Sequence, residues 1–202
     1  MAESHSPAAR SPLDGHTGPV GGPSDAGVAL GERRFQGKLN LRGDTGDPAF
    51  RAAVSAAVGT EPPTAPGTVA AAGDRAILWL GPNEWLVVTP AGDAAAPLAA
   101  LAAGLAGTRA SATDVSDNYT TIRIAGAKAR WVLAKGWPVD LHPTAFGPGR
   151  VAQSNLALTN AILRQVDDTP TYEILVRPSF AKYLWDWLVD ASLEVAYRVK
   201  PG

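Results

Sequence analysis

Apolar residues recur along this chain in two rhythms, a period of two and a period near 3.6, and the rhythms change over at glycines and prolines. Leu39 and Leu41 alternate with Lys38, Asn40 and Arg42, which predicts a half-buried strand ending at Gly43. Asp47 then stands before Pro48, an N-cap followed by proline at the first helical position. Phe50, Val54, Ala57 and Val58 fall on one face of that helix, and Gly59 closes it. Residues 60–74, with Pro62, Pro63 and Pro66, read as a loop. Ile77 to Leu80 and Trp85 to Val88 are apolar runs of strand length around Gly81-Pro82-Asn83-Glu84. Proline second and asparagine third fit a type I turn, so the pair is a hairpin. Leu98, Leu101, Ala102 and Leu105 form a helical stripe that stops at Gly107, and a strand follows over Ala110 to Val115. Strand, helix, strand, strand, helix, strand is the split order of ferredoxin-like folds.

The second half reads as a looser copy. Thr121, Ile122 and Ile124 lead to Gly126, and a short helix carries Ala127, Trp131 and Ala134 to Gly136. The loop 136–149 contains Pro138, Pro143 and Pro148. Val151 to Leu158, Ala161 to Val166 and Thr171 to Val176 are strand candidates, the strongest helix spans 179–191, and Leu193 to Val199 makes a final strand. The expected fold class is α+β, two related ferredoxin-like halves over 31–117 and 118–202 packed as one body. Residues 1–30 are rich in Gly, Pro, Ser and Ala with few large apolar side chains, so they predict a disordered tail, with order beginning near Phe35.

Composition removes several function classes. The 18 basic and 19 acidic residues leave a net charge of -1 with no basic stripe, which argues against nucleic acid. Apolar runs fall short of the roughly 20 residues that cross a bilayer, so no membrane partner is expected. Cysteine is absent, which excludes disulfides, thiolate metal sites and a cysteine nucleophile. Glu3, Ser4, His5 and Ser6 follow Ala2 where a secretory signal would begin its apolar core, and a cytoplasmic location is expected.

Candidate chemistry is thin. His142 is the one histidine outside the tail, with Asp140 two residues before it. A triad would need Ser116, Thr120 or Ser154 brought alongside, whereas the flanking prolines favour a turn in which Asp140 and His142 satisfy backbone groups. Asp167 and Asp168 read as turn formers rather than ligands, and His5 and His16 are isolated imidazoles in the tail. The glycines spell neither a dinucleotide fingerprint nor a phosphate loop. The expectation is therefore no catalytic, cofactor-binding or metal residue in this chain. Six tryptophans remain to be placed. Trp79 and Trp85 flank the hairpin turn and read as sheet packing. On the last helix Phe180, Leu184, Trp187, Leu188 and Ala191 share one face, while Trp185 projects roughly 120° away with Val189 beside it. Trp185, Val189 and the loop residue Trp137 are the candidate partner-interface residues.

Lys38-Leu-Asn-Leu-Arg-Gly43, Trp79-Leu-Gly-Pro-Asn-Glu-Trp-Leu86, Asp114-Val-Ser116, Pro138-Val-Asp-Leu-His-Pro143 and Arg177-Pro-Ser-Phe180 with Trp185 occur in an order that resembles the gamma subunit family of heterotetrameric sarcosine oxidase, over about residues 33–199. Trp137 stands where that family would place a smaller residue. The resemblance implies part of the folate-binding aminomethyltransferase fold and an accessory role beside alpha, beta and delta subunits. It implies an enzyme that demethylates sarcosine oxidatively to glycine, with release of hydrogen peroxide and transfer of the one-carbon unit to tetrahydrofolate. FAD, FMN, NAD and zinc would reside in the partner subunits. Two alternatives stand beside it: an independent folate-binding protein of the aminomethyltransferase superfamily, disfavoured by length, and a small-molecule sensor built from paired ferredoxin-like units.

Overall fold

The computed structural model describes residues 9–201. Eleven strands and four α-helices follow one another as β1 (Val28–Glu32), β2 (Gln36–Arg42), α1 (Pro48–Val58), β3 (Val69–Ala72), β4 (Arg75–Gly81), β5 (Glu84–Ala91), α2 (Ala95–Gly104), β6 (Ser111–Asp114), β7 (Thr120–Ala125), α3 (Ala129–Ala134), β8 (Val151–Leu156), β9 (Thr159–Asp167), β10 (Thr171–Val176), α4 (Ala181–Ser192) and β11 (Tyr197–Val199). The local signals act as their chemistry requires. The Asp47 side chain accepts the Ala49 N–H, Pro48 opens α1, and Gly59 ends it in the left-handed region at φ 95°. The β4–β5 hairpin turns at Pro82-Asn83 with neither residue at positive φ.

The strands form two sheets, one ordered β3-β4-β5-β2-β6 and the other β11-β1-β7-β10-β9-β8. Alternation along β2 sends Leu39 and Leu41 into a core shared with Phe50, Val54 and Val58 of α1 and Leu101 of α2. The other face of that sheet, through Ala76, Leu78, Leu86 and Val88, meets Val151, Ile162 and Leu175 of the second sheet. The second sheet buries its far face under α3 and α4, where Ile122, Ile124, Tyr172 and Ile174 pack with Val132, Leu184 and Leu188. The result is four layers, helices, sheet, sheet, helices. An isolated bridge between Thr68 and Arg150 joins the margins of the two sheets.

The two sheets share one strand order apart from a single insertion. Replacing β2 to β6 by β7 to β11 converts the first order into β8-β9-β10-β7-β11, and the second sheet differs only in that β1 is wedged between β7 and β11. β1 runs antiparallel to β7 and parallel to β11. The strand that starts the fold thus belongs to the sheet built by the other end of the chain.

The expected disorder over residues 1–30 is corrected for residues 9–30. Leu13 is 1% exposed within the core beneath α4. The Ser11 hydroxyl donates to the buried Glu32 carboxylate, Gly21 pairs with Val199, and His16 Nε2 lies 2.8 Å from Asp186 Oδ1. One anchored leucine, strand pairing and side-chain bonds hold a segment whose composition offers little else. His5 lies outside the described residues.

Candidate functional site

The structure disperses the triad candidates. His142 is exposed, its Nδ1 is 2.7 Å from Thr144 Oγ1, and its backbone N–H donates to Asp140 Oδ1 at 2.8 Å. Ser116 Oγ donates to Asp114 Oδ1 and accepts the Lys38 backbone N–H, while Thr120 Oγ1 donates to Glu32 Oε1. Ser154 sits on β8, at the edge of its sheet. Asp167 Oδ1 accepts the Thr169 N–H at 2.9 Å in the turn before β10. Among the described residues no group of three or more His, Asp or Glu side chains comes together to hold a metal ion.

The tryptophan assignments are corrected. Trp185, expected on a free face, is 2% exposed, because Leu13 of the N-terminal segment joins the same core and covers that side of α4. Trp137 is 4% exposed in the core with Leu141 and Phe146. Val189 is half-buried against the same core. Trp187, expected on the core-facing stripe of α4, is half-buried at the margin of that core, with its ring against the backbone of Gly136. Trp85 is buried as expected, its Nε1 donates to the Pro63 carbonyl at 2.8 Å, and it pairs across the hairpin with Trp79.

The most unusual chemistry lies between the sheets, at residues whose role the alternation did not reveal. Lys38, a polar position of β2, is 1% exposed because the second sheet covers that face. Its Nζ donates to the Gln36 carbonyl at 3.1 Å. Burial pushes the ammonium down to about 8, against the opposing pull of the Glu173, Glu32 and Asp117 carboxylates. Glu173 is the one charged residue of the buried strand β10 and accepts Arg164 at 2.9 and 2.6 Å, with Arg33 Nε at 3.7 Å. Glu32 accepts the Ser11 and Thr120 hydroxyls. A cleft of about 480 Å³ adjoins this cluster, lined by Arg10, Glu32, Phe35, Lys38, Asp117 and Tyr119 among others. The arrangement offers a buried amine in the field of carboxylates from three different elements, with its one hydrogen bond to its own strand, so that its charge is held in the fold at a cost. The one signal for it is Glu173, a carboxylate inside the strand candidate Thr171 to Val176.

Paired sheets inside two helical layers, repeated along the chain, define the class: the fold is shared with the glycine cleavage aminomethyltransferase T of Bartonella henselae, at a TM-score of 0.65 and 16% identity, covering 88% of this chain and 48% of that one. A closer match is a chain of the heterotetrameric sarcosine oxidase from Corynebacterium sp. U-96, solved in complex with pyrrole 2-carboxylate. It has a TM-score of 0.82 and 33% identity over 93% of this chain and 96% of that chain. The sarcosine oxidase subunit gamma of Arthrobacter sp. is 36% identical over 176 residues, 87% of this chain and 85% of the relative. The pattern of the sarcosine oxidase, gamma subunit family matches residues 42–194, and the chain belongs to that family.

Proposed function

We propose that this chain is the accessory gamma subunit of a heterotetrameric sarcosine oxidase, assembled with alpha, beta and delta subunits and shaping the complex rather than performing its chemistry. The observation that carries this reading is the match over 93% of this chain and 96% of a chain of the Corynebacterium oxidase, along nearly the full length of both rather than over a shared domain. The complex would oxidise sarcosine to glycine, pass the methyl carbon to tetrahydrofolate and reduce oxygen to hydrogen peroxide. FAD, FMN, NAD and zinc would belong to the partner subunits, and the assembly would be cytoplasmic. Among the described residues no helix is long and apolar enough to cross a membrane. An independent folate-binding enzyme is the less supported reading, since the chain spans only 48% of the aminomethyltransferase whose fold it shares.

We also read the fold as two ferredoxin-like split halves, divided near residue 117. In the first, β2-α1-β4-β5-α2-β6 lies in the order β4-β5-β2-β6 with antiparallel neighbours, and the second repeats it with β1 inserted. The functional reading is tested by purifying the tagged chain from its native host. Three further subunits should accompany it, and the preparation should release peroxide when given sarcosine. A chain that purifies alone while sarcosine oxidase activity elutes elsewhere refutes it.

A further inference from the structure

Several large apolar side chains stand exposed around the tip of the β8–β9 hairpin. Leu158, at the tip, is 86% exposed, more than any other large apolar residue among those described. Phe180, just before α4, is 47% exposed and Tyr183, on its first turn, 37%. Trp187 continues the stripe one turn on and is half-buried. The Tyr183 hydroxyl accepts the Leu158 N–H at 3.2 Å, tying hairpin tip and helix into one surface.

Beside this patch opens a groove of about 410 Å³, walled by Tyr119 and Phe180 and reaching Leu175 of the inter-sheet core. Arg177 is the one charged residue in its lining. The guanidinium lies 4.8 Å from the centre of the Tyr119 ring and makes no ion pair with a described residue. An arginine stacked on an aromatic face keeps its N–H edges free, and the group those edges match is a carboxylate. Aromatic residues and arginine, with acidic residues depleted, are the composition of interface cores.

We propose that this surface is where the chain docks on another subunit of the oxidase, and that the partner presents there an apolar side chain for the groove beside a carboxylate for Arg177. The proposal rests on the subunit reading above. A second copy of this chain fits less well, because a self-complementary contact would set the acid-free groove against itself and leave Arg177 without a counter-charge.

The test uses the tagged full-length chain co-expressed with the other subunits and measures their association. The L158D/F180S double variant should weaken association by at least about 100-fold, the scale of lost interface anchors. Arg177→Glu should weaken it by about tenfold or more. Val20→Asp, at a site 67% exposed elsewhere on the chain, should stay within about twofold, since isolated exposed apolar residues need no partner. Melting of each variant alone shows whether it is folded; if the double variant is not, Arg177→Glu decides, since its side chain lies at the surface. Patch variants that associate as tightly as the unaltered chain overturn the docking surface and leave the subunit reading intact. An unaltered chain that captures no oxidase subunit overturns both. A self-associated chain that the double variant turns monomeric assigns the patch to a second copy and overturns the proposal.

Discussion

Replacing Lys38 by methionine isolates the cost of the charge buried between the sheets. The fold lowers this ammonium from its ordinary 10.5 to about 8, chiefly by burial. At about 1.36 kcal/mol per pH unit, the protonated form is disfavoured in the fold by about 3 kcal/mol. Below pH 8 both the folded and unfolded chains hold the proton, and the fold bears that cost in full. Between about 8 and 10.5 the unfolded lysine still binds a proton that the folded one has released, so stability rises with pH; above 10.5 both are neutral and the rise ends. Methionine has similar length and no charge, and it forfeits the bond to the Gln36 carbonyl, about 1 kcal/mol. Lys38→Met should therefore be more stable than the unaltered chain by about 2 kcal/mol at neutral pH, and less stable by about 1 kcal/mol near pH 10.5. Urea denaturation of both proteins across this range measures it, and their difference cancels the other titrating groups. A difference that does not change with pH, or a methionine variant that is the weaker at pH 7, refutes the reasoning and makes Lys38 a stabilising ion-pair partner.

Trp185→Ala should destabilise the isolated chain by about 3–5 kcal/mol, the cost of a large core cavity, and Trp187→Ala by about half as much or less; the reverse order in thermal melting would contradict their observed burial. Deleting residues 1–26 removes Leu13 and the His16–Asp186 contact from α4 while sparing β1, and should lower the melting temperature by about 5 °C or more. An unchanged melting point would show that the segment does not dock in solution. His142→Ala keeps the Asp140 bond to the backbone N–H, so stability should change by less than about 1 kcal/mol and turnover per assembled complex should hold within about twofold. A thousandfold loss of turnover would point instead to proton transfer.

The parts of the fold that could be read from sequence are those fixed by neighbours in the chain. Asp47, Pro48 and Gly59 bound α1 by local hydrogen bonding and backbone preference, and the apolar runs around Pro82-Asn83 close a hairpin without help from elsewhere. β1 carries no strand signal of its own, because Val28-Ala-Leu-Gly-Glu32 is short and follows a Gly- and Pro-rich stretch, and only its pairing with β7 and β11 makes it a strand. The helical wheel misplaced Trp185 because a helix docked on one sheet needs one apolar face, and nothing local announces that Leu13 will roof a second. Lys38 falls on the polar side of β2 for the same kind of reason: alternation separates two faces but does not say that both are covered. The candidate surface around Leu158 and Arg177 joins a hairpin tip, a helix start and a sheet edge, which only the tertiary fold brings together.

Native mass spectrometry of the complex purified through this chain measures the central claim most directly. The account predicts one dominant assembly containing a single copy of this chain and one copy each of three larger or smaller partners, and loss of that assembly when the chain is withheld from co-expression. A chain found only as monomer or homo-oligomer, beside an oxidase that assembles and turns over sarcosine without it, would contradict the account.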